Sequence, residues 1–236
     1  MNKDLKIEYV EEQANLPLLN FPYSPTISSF NSSQIPEIYN RGFIAFGNKF
    51  KMARSTRVNL KNFSLSKKNR QILSRVQKFS PQYHIEKKED AKYILSENFI
   101  MQCIHFSHLR YVDNIFLDRE KLLEIINNPL INRVASIYLN ETLRATAFLC
   151  QHDSIMHYWH AFYDVEFNLK NRLSLGIHSM LSAIQYAKSN GITHLYLGAA
   201  YDIHDYYKVA NWNSVEWWTG SSWSKDINKI KSLCEK

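Results

Sequence analysis

The chain has 236 residues, 45% of them hydrophobic, which is enough to bury the core of one large domain or two small ones. Its formal net charge of +7 predicts an acidic partner, with nucleic acid as the first candidate. Three scattered cysteines without a C-x-x-C pair argue against a disulfide framework and a structural zinc site. The N-terminus shows no apolar signal segment, and no apolar run is long enough to cross a membrane. We therefore expect a cytoplasmic protein.

The strongest compositional signal is a basic stretch in the first third of the chain. Between Glu37 and Glu86 there is no acidic residue. The basic residues in that interval are Arg41, Lys49, Lys51, Arg54, Arg57, Lys61, Lys67, Lys68, Arg70, Arg75 and Lys78. A solvated helix face normally carries both signs of charge, so we interpret the stretch as a surface for phosphate groups. A merely basic surface is the alternative.

Hydrophobic periodicity and turn residues predict the secondary structure in chain order. The prolines between Leu16 and Pro25 indicate an extended segment, and either Ser64 or Ser66 is expected to cap a helix. Predicted in the first half are a short helix at 35–39, strands at 43–51 and 56–63, and helices ending near Lys78, at 88–108 and at 119–127. Predicted in the second half are strands at 131–139, 143–151 and 154–163, a polar loop, a helix at 174–189, a strand at 193–197, a hairpin at 215–223 and a charged tail.

One helix carries residues of metal-binding type. His105 and His108 are three positions apart and lie near Cys103, so all three could share one helix face. The sequence offers no carboxylate or second ligand pair beside them. A half-buried helix turn explains the trio better, and we predict no metal site.

The order of elements resembles the layout of GNAT acyltransferases. That resemblance implies an α+β fold with a mixed sheet flanked by helices. The charge pattern adds a basic N-terminal subdomain before it. We expect a subdomain at 1–84, a catalytic domain at 85–225 and a tail at 226–236. In GNAT enzymes the loop before the long helix binds pyrophosphate and reads Gln/Arg-x-x-Gly-x-Gly/Ala. Here Asn171, Ser174 and Gly176 occupy its positions, so the loop is degenerate for coenzyme A, although Arg172 is retained.

The chain contains a series of different short motifs in a fixed order. A first block contains Arg41-Gly42-Phe43, Gly47, Phe50, Arg57-Val58, Phe63-Ser64, Ser66 and Arg70. A second block contains Phe162-Tyr163-Asp164, Arg172, Ser174-Leu175-Gly176, Tyr196-Leu197-Gly198 and Tyr207-Lys208, followed by Gly220 and Trp223. Their order and spacing resemble the arginyl-tRNA–protein transferases and the bacterial leucyl-tRNA–protein transferases, over most of the chain.

The chain departs from that family in its cysteines. The cysteine cluster that the family carries between the positions of Phe50 and Arg57 is absent, and so are the paired cysteines near the N-terminus, around Leu16 to Pro22. No metal or cluster role carries over, and we expect no cofactor.

The resemblance implies transfer of an amino acid, arginine or one like leucine, from tRNA to the α-amine of an acceptor protein. The acceptor is expected to begin with an acidic residue and to become an N-degron. The partners are then aminoacyl-tRNA and the acceptor, and the enzyme is expected to be monomeric and to act without a membrane.

The resemblance also implies roles for individual residues. The catalytic candidates are Tyr163, Asp164, Tyr207 and Lys208. The candidates for the aminoacyl-tRNA end are Arg172, Ser174, Leu175, Gly176, Tyr196 and Gly198. The candidates for nucleic acid or acceptor are Arg41, Arg57, Lys67 and Arg70. Asp164 is expected to pair with a cationic group of the donor. Structural alternatives stand beside these roles: Tyr163 and Tyr196 also fit core aromatics, and Asp164 a turn cap.

Two other functions remain open at this point. A coenzyme-A-dependent N-acyltransferase would share the fold, and a non-catalytic tRNA-binding relative would share the basic surface. The degenerate loop opposes the first, and retention of the polar motif residues opposes the second.

Overall fold

A computed structural model describes residues 7–10, 24–110 and 117–235. The strands are β1 (Glu8–Val10), β2 (Ser24–Ile27), β3 (Phe43–Phe46), β4 (Lys49–Met52), β5 (Ser55–Asn59), β6 (Gln82–Lys87), β7 (Arg133–Leu139), β8 (Thr142–His152), β9 (Ile155–Tyr163), β10 (His194–Ala199), β11 (Val215–Trp218) and β12 (Trp223–Ser224). The helices are α1 (Ile35–Asn40), α2 (Lys67–Gln77), α3 (Glu97–Arg110), α4 (Arg119–Asn127), α5 (Val165–Asn171), α6 (Leu175–Ser189), α7 (Tyr207–Ala210) and α8 (Ile227–Cys234).

The chain forms two compact units, and one strand contributes to both. The first unit contains residues 1–64, 152–157 and 187–236, and the second contains 65–151 and 158–186. The boundary within β9 falls between His157 and Tyr158.

The first unit contains two sets of paired strands. Strands β1, β2, β4 and β3 pair in that order and are all antiparallel. Strands β12, β11, β5, β10 and β9 form the second set, in which only the pairing of β10 with β9 is parallel. The parallel register is described from His194 opposite Ile155 to Tyr196 opposite His157. This mixture of directions follows from the return of the chain to β10 through the long helix α6.

The second unit is a sheet with helices on both faces, in the strand order β9-β8-β7-β6. Side chains of β7 alternate between the faces, as the two-residue period of a strand requires. Val134 packs with residues of α3 and α4 on one face. Ile137 and Leu139 pack with Val76 of α2 and with Leu175 at the start of α6 on the other. Two hydrophobic clusters therefore lie on opposite faces of this sheet.

The structure confirms the predicted α+β class and its mixed sheet flanked by helices. Helix α1 has Pro36 in its first turn, and α4 has the predicted bounds. Helix α2 begins after Ser66, whose hydroxyl accepts from the Asn69 N–H at 3.1 Å, while the Asn69 side chain accepts from the Ser66 N–H at 3.1 Å. This reciprocal pair is a capping box, so Ser66 and not Ser64 is the cap.

Other predicted elements were wrong. The stretch predicted as one strand at 43–51 is the hairpin of β3 and β4, because Gly47, at φ +58°, allows the chain to turn. The helix predicted at 88–108 begins only at Glu97, and strand β6 was missed before it. The polar loop after β9 contains helix α5. The segment from Leu16 to Pro22 lies outside the described residues.

None of the described helices combines the length and the apolar character that a bilayer crossing requires.

Gly42 gives a test of the packing of the first unit. It has φ +84°, and a Cβ atom built on it would lie 2.3 Å from ring atoms of Trp218. We expect Gly42→Ala to lower the free energy of unfolding by about 3 kcal/mol, because it adds backbone strain to a steric overlap. Urea unfolding followed by tryptophan fluorescence measures this.

Gly47→Ala is the matched control for that substitution. Gly47 also has a positive φ, but a Cβ atom there would meet nothing within 4 Å. Only the backbone strain of the positive φ remains, so we expect the free energy of unfolding to fall by about 1 kcal/mol. Equal losses in the two variants would show that the contact with Trp218 is unimportant.

Candidate active site

The residues that the sequence singled out fall into two sets, one in each compact unit. In the second unit lie Lys67, Arg70, Tyr163, Asp164, Arg172, Ser174, Leu175 and Gly176. In the first unit lie Arg41, Arg57, Tyr196, Gly198, Tyr207 and Lys208.

Asp164 is the N-cap of α5 and the partner of an arginine. Its Oδ1 accepts from the Phe167 N–H at 2.8 Å, which satisfies a free donor of the first helical turn. Its Oδ2 accepts from Nη1 of Arg144 at 2.5 Å, and the Arg144 guanidinium lies over the Phe167 ring, 4.1 Å from its centroid. The carboxylate therefore starts a helix and neutralises a guanidinium at the same time. Asp164 therefore caps a helix, whereas the structural alternative considered from the sequence was a turn cap.

Tyr163 packs tightly against the start of α6. A Cβ atom on Gly176 would lie 3.1 Å from Cε1 of Tyr163, so a larger residue would push the ring away. On another side, the Tyr163 ring meets that of Phe106 edge-on, with 4.9 Å between centroids. Gly176 therefore sets the position of the Tyr163 ring.

The segment between α5 and α6 adopts left-handed backbone at two residues that are not glycine. Arg172 has φ +54° and Ser174 has φ +62°, and both side chains are exposed. Asn168 holds the segment, because its Oδ1 accepts from the Leu175 N–H at 2.7 Å and its carbonyl accepts from the Leu173 N–H at 3.1 Å. Leu175 is fully buried, so it anchors the helix and cannot touch a ligand.

A buried histidine lies one turn into α6. His178 is 4% exposed, and its Nδ1 has no hydrogen-bond partner among the described residues. Burial lowers the pKa of His178 to about 4, so the ring is neutral at pH 7. A neutral imidazole adds no charge to the start of this helix.

A cavity of about 200 Å³ lies beside these residues, within the second unit. Its walls come from α3, from the first half of β8 and from the segment that joins β9 to α5. Tyr163, Asp164 and Arg144 all line it. Two other cavities, beside β6 and beside the start of α3, contain no residue of the second motif block.

Burial divides the basic stretch. Lys67 and Arg70 are exposed on α2, together with Lys68, Arg75 and Lys78. Arg41 is also exposed and pairs with Glu37. Arg54 and Arg57 are instead buried, with 6% and 8% of their surface exposed. Within the basic stretch, the exposed cations of the second unit are thus those of α2 and its C-cap residue Lys78.

Lys208 and Gly198 meet at the end of β10. The Lys208 ammonium donates to the Ala199 carbonyl at 2.8 Å and to Oδ1 of Asp205 at 2.5 Å. A lysine ammonium has three N–H donors, so one remains for another acceptor. Gly198 has φ +89° at an irregularity in the β10–β5 register, and its Cβ position would lie 3.9 Å from Nζ of Lys208. Tyr207, next to Lys208, is exposed.

Arg57 is the centre of a buried polar network. It forms an ion pair with Glu216, with 2.8 Å from Nε to Oε2, and both side chains are about nine-tenths buried. Its Nη1 donates to Oδ1 of Asn40 at 3.1 Å and to the Tyr196 hydroxyl at 3.2 Å. The guanidinium also lies over the Trp223 ring, 3.8 Å from its centroid. In this unit Arg57 therefore organises the interior.

Tyr196 belongs to the same interior. It is fully buried, and its hydroxyl donates to Oδ1 of Asn40 at 3.2 Å. Burial raises the pKa of Tyr196 to about 12, although the Arg57 charge opposes the shift. Beside it, burial lowers the pKa of His194 to about 4. Both groups are therefore neutral at pH 7.

Several contributors were missed from the sequence. Arg144, Asn40 and Glu216 carry no motif, and Glu216 lies 159 positions from the arginine it pairs with. The one available signal was charge: Glu216 is the only acidic residue of the apolar strand β11.

Across residues 7–10, 24–110 and 117–235, no three His, Cys, Asp or Glu side chains come together in a way that could hold a metal ion.

The chain is similar to a family of known proteins. The family model described as "Arginine-tRNA-protein transferase, C terminus" matches residues 76–211, which is more than half of the chain. Among curated proteins, none matches.

Solved structures resemble the chain more distantly. The C-terminal domain of a protein described as a lysylphosphatidylglycerol synthetase, from Agrobacterium fabrum, is 17% identical with a TM-score of 0.46, over 74% of this chain and 53% of that one. L-PGS from Bacillus licheniformis is 16% identical with a TM-score of 0.43, over 74% and 54%. FemX is 12% identical with a TM-score of 0.45, over 75% and 62%. The chain thus spans about half the length of the first two, and likeness at this level carries no conclusion about activity.

The ion pair of Arg57 and Glu216 can be tested by removing one charge. We expect Glu216→Gln to lower the free energy of unfolding by about 3 kcal/mol, because the Arg57 guanidinium would stay buried without its counter-charge. Urea unfolding at pH 7 measures the effect. Glu37→Gln is the control, since its pair with Arg41 is exposed and contributes at most about 1 kcal/mol. Similar losses in both variants would contradict the central role of the buried pair.

Proposed function

The chain belongs to the arginine-tRNA-protein transferase family, and on that premise we propose that it transfers an amino acid from an aminoacyl-tRNA to the α-amine of an acceptor protein. The acceptor proposed is one with an acidic first residue, and the product is an N-degron in the cytoplasm. The enzyme is proposed to act as a monomer without a cofactor.

One observation carries this proposal. The family match over residues 76–211 includes the cavity of the second unit, the start of α6 and the group of Lys208, Asp205 and Gly198. The segment that matches the family therefore contains this cavity and the Lys208 group, whereas the network of Arg57 and Glu216 lies outside it.

The reaction needs little covalent chemistry from the protein. The ester that joins the amino acid to the terminal ribose is already activated. The neutral α-amine of the acceptor attacks the ester carbonyl, and a C–N bond forms. The C–O bond to ribose then breaks, and the ribose oxygen takes up the proton that the amine loses. Such a reaction depends on positioning the two substrates and on stabilising the oxygen that becomes negative.

Lys208 is suited to the second task. Its ammonium is held by Ala199 and Asp205 and keeps one N–H free of the two bonds described. We assign that N–H to the negative oxygen of the intermediate. Asp205 would position the ammonium, and Gly198 would leave room for the substrate beside it, since a side chain there would approach Nζ. The exposed Tyr207 is assigned to the acceptor.

The donor's RNA is assigned to the exposed groups of the second unit. Lys67 and Arg70 on α2 present cations to phosphates, and Arg172 and Ser174 lie exposed ahead of α6, whose N-terminus favours an anion. The motif suggested that Arg57 binds nucleic acid or the acceptor, but its guanidinium is paired with Glu216. We therefore assign Arg57 a structural role, in which it holds Tyr196 in place.

A transfer assay tests the function directly. Purified protein is mixed with total tRNA charged with labelled amino acids, and with peptides that begin with Asp, Glu, Ala or Lys; a parallel reaction contains labelled acetyl-coenzyme A. We expect label to move from charged tRNA to the peptides with acidic first residues. Label moving only from acetyl-coenzyme A would indicate an ordinary N-acyltransferase. Salt-sensitive tRNA binding without any transfer would indicate a binding protein.

Lys208→Met tests the assignment of the ammonium. We expect kcat to fall by about 100-fold, as for removal of one donor to a developing oxyanion, with KM for charged tRNA little changed. Lys229→Met, at an exposed position of α8, is the control and should leave kcat as it is. An unchanged kcat in the Lys208 variant would remove this residue from the active site.

A further inference from the structure

The cavity of the second unit has a polar rim and a mostly apolar interior. Asp164, Glu166 and His105 lie on its lining, and the buried part of the lining consists of Phe99, Cys103, Phe106, Ala145 and one hydroxyl residue, Thr146. Leu143 and Phe162 add further apolar surface. The sequence had led us to expect that Asp164, which lies on this lining, pairs with a cationic group of the donor.

We propose that this cavity receives the side chain of the donor's amino acid and selects an uncharged, largely apolar side chain, of about the size of leucine, over a cationic one. This inference rests on the proposed function and specifies its substrate.

Size limits what enters the cavity. At about 200 Å³ it is smaller than pockets for drug-sized ligands, which occupy roughly 300–1,000 Å³. A nucleoside with its amino acid does not fit, whereas one side chain does. Because the ester is attached to a large RNA, it must stay at the rim while the tip of the side chain goes deepest.

The interior that meets this tip carries no charge. Phe99 and Phe106 are 4% and 5% exposed, and the Phe106 ring meets that of Phe162, which also lines the cavity. Phe148, which does not line it, contacts the rings of Phe99 and Phe162. Cys103 is 1% exposed, and burial raises the pKa of its thiol, which stays protonated. A guanidinium or ammonium in such surroundings loses its hydration and gains no counter-charge, which is costly.

The carboxylates near the cavity do not supply that counter-charge. The charge of Asp164 is neutralised by Arg144, and one of its oxygens caps α5. Glu166 has a side chain that is 77% exposed and faces His105 across 3.5 Å. A carboxylate in water at the rim discriminates weakly between charged and neutral ligands. Apolar contact therefore decides the selection.

The test compares donors in a single assay. Leucyl-, methionyl- and phenylalanyl-tRNA compete separately with arginyl- and lysyl-tRNA for one acidic-start peptide. We expect kcat/KM for the best apolar donor to exceed that for either cationic donor by at least about tenfold, the scale of discrimination in an apolar pocket. Preference for arginyl- or lysyl-tRNA would overturn the inference while leaving the proposed function intact. No transfer from any donor would overturn both.

A matched pair of variants locates the selection. Leu143 and Leu123 are both half-buried leucines that pack on the same core cluster, but only Leu143 lines the cavity. We expect Leu143→Ala to shift the ratio of kcat/KM for phenylalanyl- over leucyl-tRNA about tenfold toward the larger side chain, and Leu123→Ala to leave it unchanged. Because the ratio is measured within one preparation, loss of folded protein cancels.

The same pair distinguishes donor from acceptor. With one donor fixed, the first residue of the peptide is varied among Asp, Ala and Leu. We expect the Leu143 variant to keep the wild-type order of acceptors. A changed order of acceptors with an unchanged order of donors would assign the cavity to the acceptor and overturn the inference.

Discussion

The buried ion pair between Arg57 and Glu216 is the interaction on which the first unit depends. A guanidinium in a protein interior is tolerated only when its charge and its donors are satisfied. Arg57 meets that requirement by contacting four separate segments: β11 through Glu216, the end of α1 through Asn40, β10 through Tyr196 and the last strand through Trp223. Those segments are distant in sequence, so the pair fixes how they assemble.

The second unit is organised differently, by a single carboxylate at a junction. Asp164 ends β9, starts α5 and holds Arg144 of β8. Gly176 then lets the start of α6 approach Tyr163, the residue before Asp164. The family motif residues of this unit therefore hold one another in position around the cavity. This view accounts for the short polar and glycine positions without requiring each of them to touch a substrate.

Sequence reasoning succeeded where a local signal determines structure. Helices α1, α2 and α4 have a proline in the first turn, a capping box or a clear apolar period, and the structure bears them out. It failed where the signal was short or mixed. Strand β6 is half-exposed and lacks a clean alternation, and α5 is a short polar helix whose only marker is its Asp164 cap. The basic composition could not show that Arg54 and Arg57 point inward, because burial depends on partners such as Glu216 that are remote in the chain.

The pairing of Arg144 with Asp164 also bears on how such an enzyme can diverge. One arginine on β8 cancels the charge of Asp164, while the other carboxylate of the lining, Glu166, lies exposed at the rim. A lineage that replaced Arg144 by a neutral residue would expose a carboxylate to the cavity while Asp164 kept its place as helix cap. On the proposed role of this cavity, one amino-acid substitution would separate an apolar from a cationic substrate, and the fold would carry enzymes of both kinds without rebuilding its sheet.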